Sequence, residues 1–398
     1  MNEDELATDL FPDTRRHHSS LGHFQTAYVG YVAETDFRER ASSGGMVSWV
    51  LTELLRSGLI DGAAHVVATA DPQDEGRFFR YQLSRTAKEI RAGAKSRYYP
   101  VELSDVLRSV RSVPGRYAVV GVPCFIKAIQ LLRREDSVLR ERVAFTLGLF
   151  CGHMKSARLI ESFAWQMGVS VDAIQRVEFR LKDPSRSADS YTAQFTLRDG
   201  RVVQKDWWNL ADADWGAGFF QNSACNFCDD VVAETADLSF GDAWVEPYSS
   251  DGRGTNVVIV RSRVLENLLA AGIEEGRLKL EPVDSEFVHE TQAAGFRQRR
   301  EGLAYRLSWR RFRVQPRKRV AVGSQKLCAR RKLIYRLRSL ISAWSHRIFW
   351  FARLVRQPKF YIGWARITLT VYHGLAYSRG KLGEMIDRLG LHSERSGT

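Results

Sequence analysis

The chain has 398 residues, 44% hydrophobic and 26% charged, a composition that supports a folded core and two or three domains. With 30 glycines and 10 prolines it is neither collagen-like nor low-complexity, and five cysteines are too few for a disulfide-stapled secreted scaffold, which predicts a reducing, cytoplasmic setting. The net charge of +13 is concentrated at one end: residues 297–398 hold 25 Lys and Arg against 4 Asp and Glu, while residues 1–296 carry an excess of acid. Such asymmetry predicts an anionic partner for the basic end.

Residues 1–22 are polar without a clear period and are expected to be a disordered lead-in. Their acidic start is no secretory signal, and no run of about 18 apolar residues marks a spanning helix. β-Formers over residues 24–32 open the ordered body. After a turn at Ser42, Ser43, Gly44 and Gly45, the residues Val47, Val50, Leu51, Leu54 and Leu55 fall at helical spacing, and Gly58 stops the helix. Residues 64–70 read as a strand and Ser104–Ser112 as a helix. Residues 116–124 form a buried strand leading to Cys124, followed by a helix carrying Ile126, Ile129 and Leu132. Residues 143–151 form a second buried strand ending at Cys151, with a helix over 157–167 behind it. Strand, helix, strand, helix at this spacing predicts a βαβ unit.

The pattern then changes. Val177, Phe179 and Leu181 alternate with polar residues, and residues 191–197 and 201–207 flank Asp199 and Gly200 as a hairpin. Residues 236–244 and 255–261 return to strand character, and a helix follows over 264–271. The expected architecture is an α/β body of mixed sheet over 23–295 with a basic helical C-terminal extension over 296–398. Between Gly302 and Gly383 this extension has 20 basic residues and no acidic one. Across 331–356 the residues Leu333, Leu337, Leu340, Ile341, Trp344, Ile348, Phe351 and Val355 mark one helical face among arginines. Tyr361, Trp364 and Tyr372 continue the aromatic pattern at a level that suits lipid headgroups. An apolar, aromatic and arginine-rich helix of this kind predicts peripheral attachment of 331–378 to an anionic membrane surface on its inner face. Packing of the same stripe on the body, with the arginines solvated or on an acidic protein or RNA, is the alternative; nucleic acid is not the expected partner.

Four cysteines stand out by context. Cys124 and Cys151 follow strand ends, which parallel strands would bring to one edge of the sheet, and Cys225 with Cys228 forms a Cys-x-x-Cys pair. Four such thiolates complete a tetrahedral zinc site or an iron–sulfur cluster, and spacing alone leaves both open beside a third reading of buried small hydrophobes. Cys328, amid the basic extension, reads as a bystander. His153, beside Cys151, could donate to the same site or stand on the surface. The Ser42–Gly45 turn can present N–H groups to a phosphate at a helix start, or serve as a helix cap. Lys95, Ser96 and Tyr98 offer a cation and an aromatic face. Residues 241–244 end a strand with a glycine, a carboxylate and a tryptophan. No Walker motif, dinucleotide fingerprint or nucleophile–His–Asp pattern is present.

Taken in order, the segments 41–45, 93–98, 121–124, 150–152, 225–228 and 236–244 resemble the beta subunit of coenzyme F-420 hydrogenase/dehydrogenase, a family that includes 7-hydroxymethyl chlorophyll a reductase. The resemblance covers about residues 24–310. It implies an oxidoreductase that binds FAD and a 4Fe-4S cluster, with Cys124, Cys151, Cys225 and Cys228 as cluster ligands. It further implies a flavin site from Ser42, Ser43, Gly44, Gly45, Lys95, Ser96 and Tyr98, joined by Thr255 and Asn256. Residues 1–123 hold no cysteine, so the ferredoxin-like segment of many members is absent, and an external donor such as a ferredoxin, or coenzyme F-420 itself, is implied. The rival function is a non-catalytic, zinc-stabilised protein whose basic tail binds membrane, RNA or an acidic partner.

Overall fold

The computed structural model describes residues 1–309, 316–323 and 326–388; the parts of the C-terminal extension at 310–315, 324–325 and 389–398 lie outside the described residues. Eight strands form one mixed sheet. In spatial order they are Leu278–Val283, Thr26–Val32, Asn256–Val260, Leu238–Asp242, Val143–Leu149, Tyr117–Gly121, Gly62–Ala68 and Phe79–Ser84. The strands from Leu238–Asp242 through Gly62–Ala68 run parallel, and the flanking ones pair antiparallel. The expected βαβ unit is the centre of this sheet: Tyr117–Gly121 leads through the helices Pro123–Glu135 and Ser137–Arg142 to Val143–Leu149. Every residue of Tyr117–Gly121 and of Asn256–Val260 is buried, which explains why both read as unbroken apolar runs.

Parallel pairing fixes where the chemistry-bearing residues emerge. Gly121 stands opposite Gly148 in the register, so Cys124 and Cys151 each follow their paired glycine by three residues and leave at the same end of the sheet. Cys124 lies in the first turn of its helix, which opens with Pro123 at a position that needs no N–H donor. Cys151 lies just beyond the end of its strand.

A second, antiparallel sheet contains Ile174–Leu181, Thr192–Leu197 and Val202–Asp206, with Gly200 in the left-handed turn that the hairpin requires. Its apolar face packs with helix Arg158–Met167 and with the C-terminal extension in one core. The extension ends in a helical hairpin of Ala329–Leu354 and Pro358–Tyr377, antiparallel because Arg330 at one start donates through Nε to the Leu375 carbonyl near the other end, at 2.7 Å. Phe349 stacks on Trp165 with centroids 4.2 Å apart, and the Tyr361 hydroxyl donates to buried Asp212 at 2.8 Å.

Two expectations are corrected. The lead-in is ordered at its start: Glu3–Leu10 is a helix with a capping box from Asn2 and Glu5, and Leu6 and Ala7 are fully buried. A helix of 8 residues that buries so few apolar side chains has no readable period, and its fixing partners are distant: Glu3 with Lys127 at 3.0 Å and Asp4 with Arg319 at 2.7 Å. The second correction concerns Tyr361 and Tyr372. Both are buried against the body, and Trp364 packs edge-on against Phe219, so these rings do not lie at a lipid headgroup level.

Candidate functional site

The Cys-x-x-Cys segment is brought to the sheet end by stitching against residues 151–156. The Cys151 N–H donates to the Val231 carbonyl at 2.9 Å, and the Asn222 N–H to the Met154 carbonyl at 2.9 Å. The Met154 N–H in turn donates to Cys225 Sγ at 3.4 Å. Cys225 sits in the short 3-10 helix Ser223–Phe227, capped by the Asn222 side chain, and Cys228 ends it. The four sulfurs lie close enough to sense one another's charge. Cys124 is exposed on one side; partial burial of its thiol, then the Cys228 and Cys225 charges, push it up to about 11. Burial pushes Cys151 up to about 12, with Cys225, Cys228 and Cys124 adding to the rise and Arg299 opposing it.

Arg299 is the cation of this nest. Its buried guanidinium donates to the carbonyls of Cys151, Gly152 and Asp230, the last two at 2.8 and 3.0 Å, and its charge is raised in stability by Cys228, Cys151 and Cys225 against its burial. His153 is buried, with its ring edge-on to Trp215 at 4.6 Å, and its Nε2 finds no hydrogen-bond partner among the described residues. Among the described residues no three His, Cys, Asp or Glu side chains close tightly enough on one point to hold a single ion. By its chemistry the donor set suits a cluster: four thiols, one N–H already aimed at a sulfur, an unpartnered buried imidazole nitrogen and a buried counter-charge. Cys328 stands apart, at the start of helix Ala329–Leu354.

The segments assigned to flavin come together at a second point. The Ser96 N–H donates to Ser42 Oγ at 2.9 Å, and Ser43 Oγ donates to the Thr255 carbonyl at 3.0 Å. Asn256 Oδ1 accepts the Met46 N–H at 3.2 Å, while its Nδ2 donates to the Gly241 carbonyl at 3.0 Å. Gly45, at φ +88°, starts helix Met46–Arg56, so the cap is a left-handed glycine rather than a serine side chain. Gly44 has no room for a side chain: a Cβ there would stand 2.8 Å from both the Gly30 carbonyl and Asn256 Oδ1.

Beside Lys95, this turn is lined by cations that sequence reading passed over. Lys182 Nζ donates to the Ser43 carbonyl at 2.8 Å and also to the Arg38 and Arg253 carbonyls. Burial, then the charges of Lys95, Arg38 and Arg180, lower it to about 7. Lys95 pairs with Glu178 at 2.6 Å, Arg180 with Asp242 at 2.9 Å and Arg38 with Asp251 at 3.1 Å. The signal was present: Glu178, Arg180 and Lys182 are the alternate residues to Val177, Phe179 and Leu181. That polar face looks like a solvated one until the second sheet is set against the Ser43 turn. Three of the four cations are shared with carboxylates, so the turn keeps a small cationic excess, centred on Lys182, which fits a pyrophosphate.

One ring links the two points. Trp215 lies 4.8 Å from Tyr98 and 4.6 Å from His153, so the Tyr98 segment and the cysteine segment share a wall. Phe150 fills the space beside Gly241, where any Cβ would collide with it, and joins Cys151 to the strand end that Asn256 holds.

Fold and site together define a mixed α/β protein that gathers four thiols at the end of its parallel strands, beside a cationic turn. Residues 27–108 match the N-terminal part and residues 115–286 the C-terminal part of coenzyme F420 hydrogenase/dehydrogenase, beta subunit, and the chain belongs to this family. It is 25% identical over 264 residues to the uncharacterized protein MJ1349 of Methanocaldococcus jannaschii, covering 63% of this chain and 64% of that one. Coenzyme F420 hydrogenase subunit beta of Methanothermobacter thermautotrophicus is 21% identical over 270 residues, covering 66% of this chain and 86% of that one. The coenzyme F420-dependent sulfite reductase of M. jannaschii is 24% identical over 270 residues, 64% of this chain but 38% of its own length. The chain thus spans less than two thirds of the first and third of these relatives. A chain of the F420-reducing NiFe hydrogenase complex from Methanosarcina barkeri shares the fold, with a TM-score of 0.57 at 17% identity, over 76% of this chain and 99% of that one.

Proposed function

We propose that this protein is an FAD- and 4Fe-4S-dependent oxidoreductase that relays electrons between an external donor and a substrate, the donor being reduced coenzyme F-420 or a ferredoxin-like protein. The observation that carries the reading is the convergence of Cys124, Cys151, Cys225 and Cys228 from separate stretches of chain around the buried Arg299. When bound, a 4Fe-4S cluster exchanges single electrons and FAD gathers two for hydride chemistry. The residues supply holding and charge. The four cysteines provide the thiolates, and the Met154 N–H and His153 Nε2 offer hydrogen bonds to sulfur. Lys182 faces the pyrophosphate, with Arg38, Arg180 and Lys95 shared between it and Asp251, Asp242 and Glu178, and the Ser42–Gly45 turn lets backbone approach it. Trp215 bridges Tyr98 and His153 through its ring contacts. Family membership and the named relatives support the F-420 link, and the scarcity of cysteines suits a reducing cytoplasm.

The test is anaerobic mixing of the purified protein with reduced F-420 or with reduced ferredoxin, following the flavin band. Bleaching by one of the two is the expected result. A flavin that neither donor reduces contradicts the relay.

A further inference from the structure

The apolar stripe of the C-terminal hairpin is divided by the fold. Ile341 is buried in the body, and Leu337 and Ile348 are partly covered. The rest faces solvent: on the first helix Leu333, Leu340, Trp344 (45% exposed) and Phe351 (43%), and on the second Phe360 (51%) and Ile367 (69%). The two exposed rows meet where the Phe351 and Phe360 rings touch, with centroids 5.4 Å apart. Large side chains in such a row are unusual on a free surface and mark a contact face.

The same face carries one sign of charge. Arg347 lies over the Trp344 ring at 5.2 Å, and Arg356 and Lys359 flank the turn between the helices, within a span that contains no acidic residue from Gly302 to Gly383. At that turn opens a cleft of about 400 Å³ lined by Trp165, Gln166, Gln357, Lys359, Ile362 and Arg366, with two cations and two amides but no carboxylate. That lining suits a phosphodiester headgroup at the turn from which the exposed rows run.

We propose that this outer face of the hairpin docks on an anionic phospholipid bilayer, with Trp344, Phe351, Phe360 and Ile367 entering the interface and Lys359 and Arg366 taking a headgroup phosphate in the turn cleft. The inner face, through Phe349, Tyr361 and Ala365, stays on the body and fixes the orientation of the protein on the membrane. No helix among the described residues is long and apolar enough to cross a membrane, and docking asks for none. The docking is independent of the redox reading.

The experiment is co-sedimentation of the full chain with vesicles of phosphatidylglycerol and phosphatidylcholine, or of phosphatidylcholine alone, beside the surface variants F351S/F360S and K359E/R366E. The wild type is expected to bind the anionic vesicles and to weaken with added salt. Each double variant is expected to lose about tenfold or more in binding while keeping the wild-type melting temperature. Equal binding by wild type and variants, or no binding by the wild type at low salt, overturns the proposal. A wild-type dimer that F351S/F360S makes monomeric, with no vesicle binding, also overturns it, since the face would then belong to a second copy of this chain.

Discussion

Arg299 is tied to the backbone of Cys151: its Nη2 donates to the Cys151 carbonyl, and the same guanidinium spans the Gly152 and Asp230 carbonyls. A residue at the end of helix Ala293–Arg299 thus ties the Cys151 stretch to the one that follows Cys228, two of the three that carry the thiols. Arg299→Met would take the side-chain donor from the Cys151 and Gly152 carbonyls, leave the buried Asp230 carbonyl with Cys228 Sγ alone, and remove a charge that offsets the thiolates. With the Cys151 and Gly152 carbonyls only partly buried, a loss of about 1–2 kcal/mol is expected. Urea denaturation of the two proteins measures it, and a change below about 0.5 kcal/mol would show that the fork is dispensable.

Lys182 probes the turn with less steric change than any glycine there. Gly44→Asp would drive a side chain into Gly30 and Asn256 and so report on packing. Lys182→Met keeps the length and removes the cation with its bonds to the Ser43, Arg38 and Arg253 carbonyls, so a somewhat lower melting temperature and several-fold weaker FAD retention on gel filtration are expected, with iron content unchanged. Loss of iron and flavin together would mean that Lys182 serves the fold.

Asp251 gives the turn a pH signature. The Arg253 hydrogen bonds hold its carboxyl at about 2 despite partial burial, with help from Arg38. A folded pKa below the unfolded value of about 3.9 means that the unfolded chain binds more protons between those limits. The stabilisation is then complete above about pH 4 and is lost as pH falls toward 2. After allowance for solvent screening it amounts to about 1 kcal/mol. Asp251→Asn should be less stable than the wild type by about that amount at pH 6, with the two curves converging near pH 2; parallel curves would place the effect elsewhere.

The N-terminal helix is part of the body. Leu6→Ala removes a fully buried side chain and should cost about 2–4 kcal/mol, read as a lower melting temperature. An unchanged melting temperature would return residues 3–10 to the status of a loose lead-in.

How much of this was legible follows from how each segment earns its structure. The strands Tyr117–Gly121 and Val143–Leu149 and the helix Ser104–Ser112 are dictated by local pattern, so their place and type could be read directly. The positions of Cys124 and Cys151 followed from parallel pairing, which the strand–helix–strand spacing already implies. The helix Glu3–Leu10 could not be read, because its order comes from Lys127 and Arg319 far along the chain. The cations Arg38, Arg180 and Lys182 were hidden for a related reason: alternation tells which face of a strand is polar, not what that face meets. In the hairpin the period was visible, but the apolar arc is wide enough to serve two surfaces. Only packing shows that Ile341 turns inward while Leu340 and Trp344 turn out.

The central claim is that the four gathered cysteines hold a 4Fe-4S cluster beside FAD. Anaerobic purification, followed by iron, zinc and flavin analysis of the wild type and of Cys225→Ser and Cys328→Ser, tests it most directly. The account predicts a brown protein with iron and sulfide at the ratio of a cubane and bound FAD, loss of iron in Cys225→Ser and none in Cys328→Ser. A colourless wild type carrying zinc, or full iron content in Cys225→Ser, would contradict it.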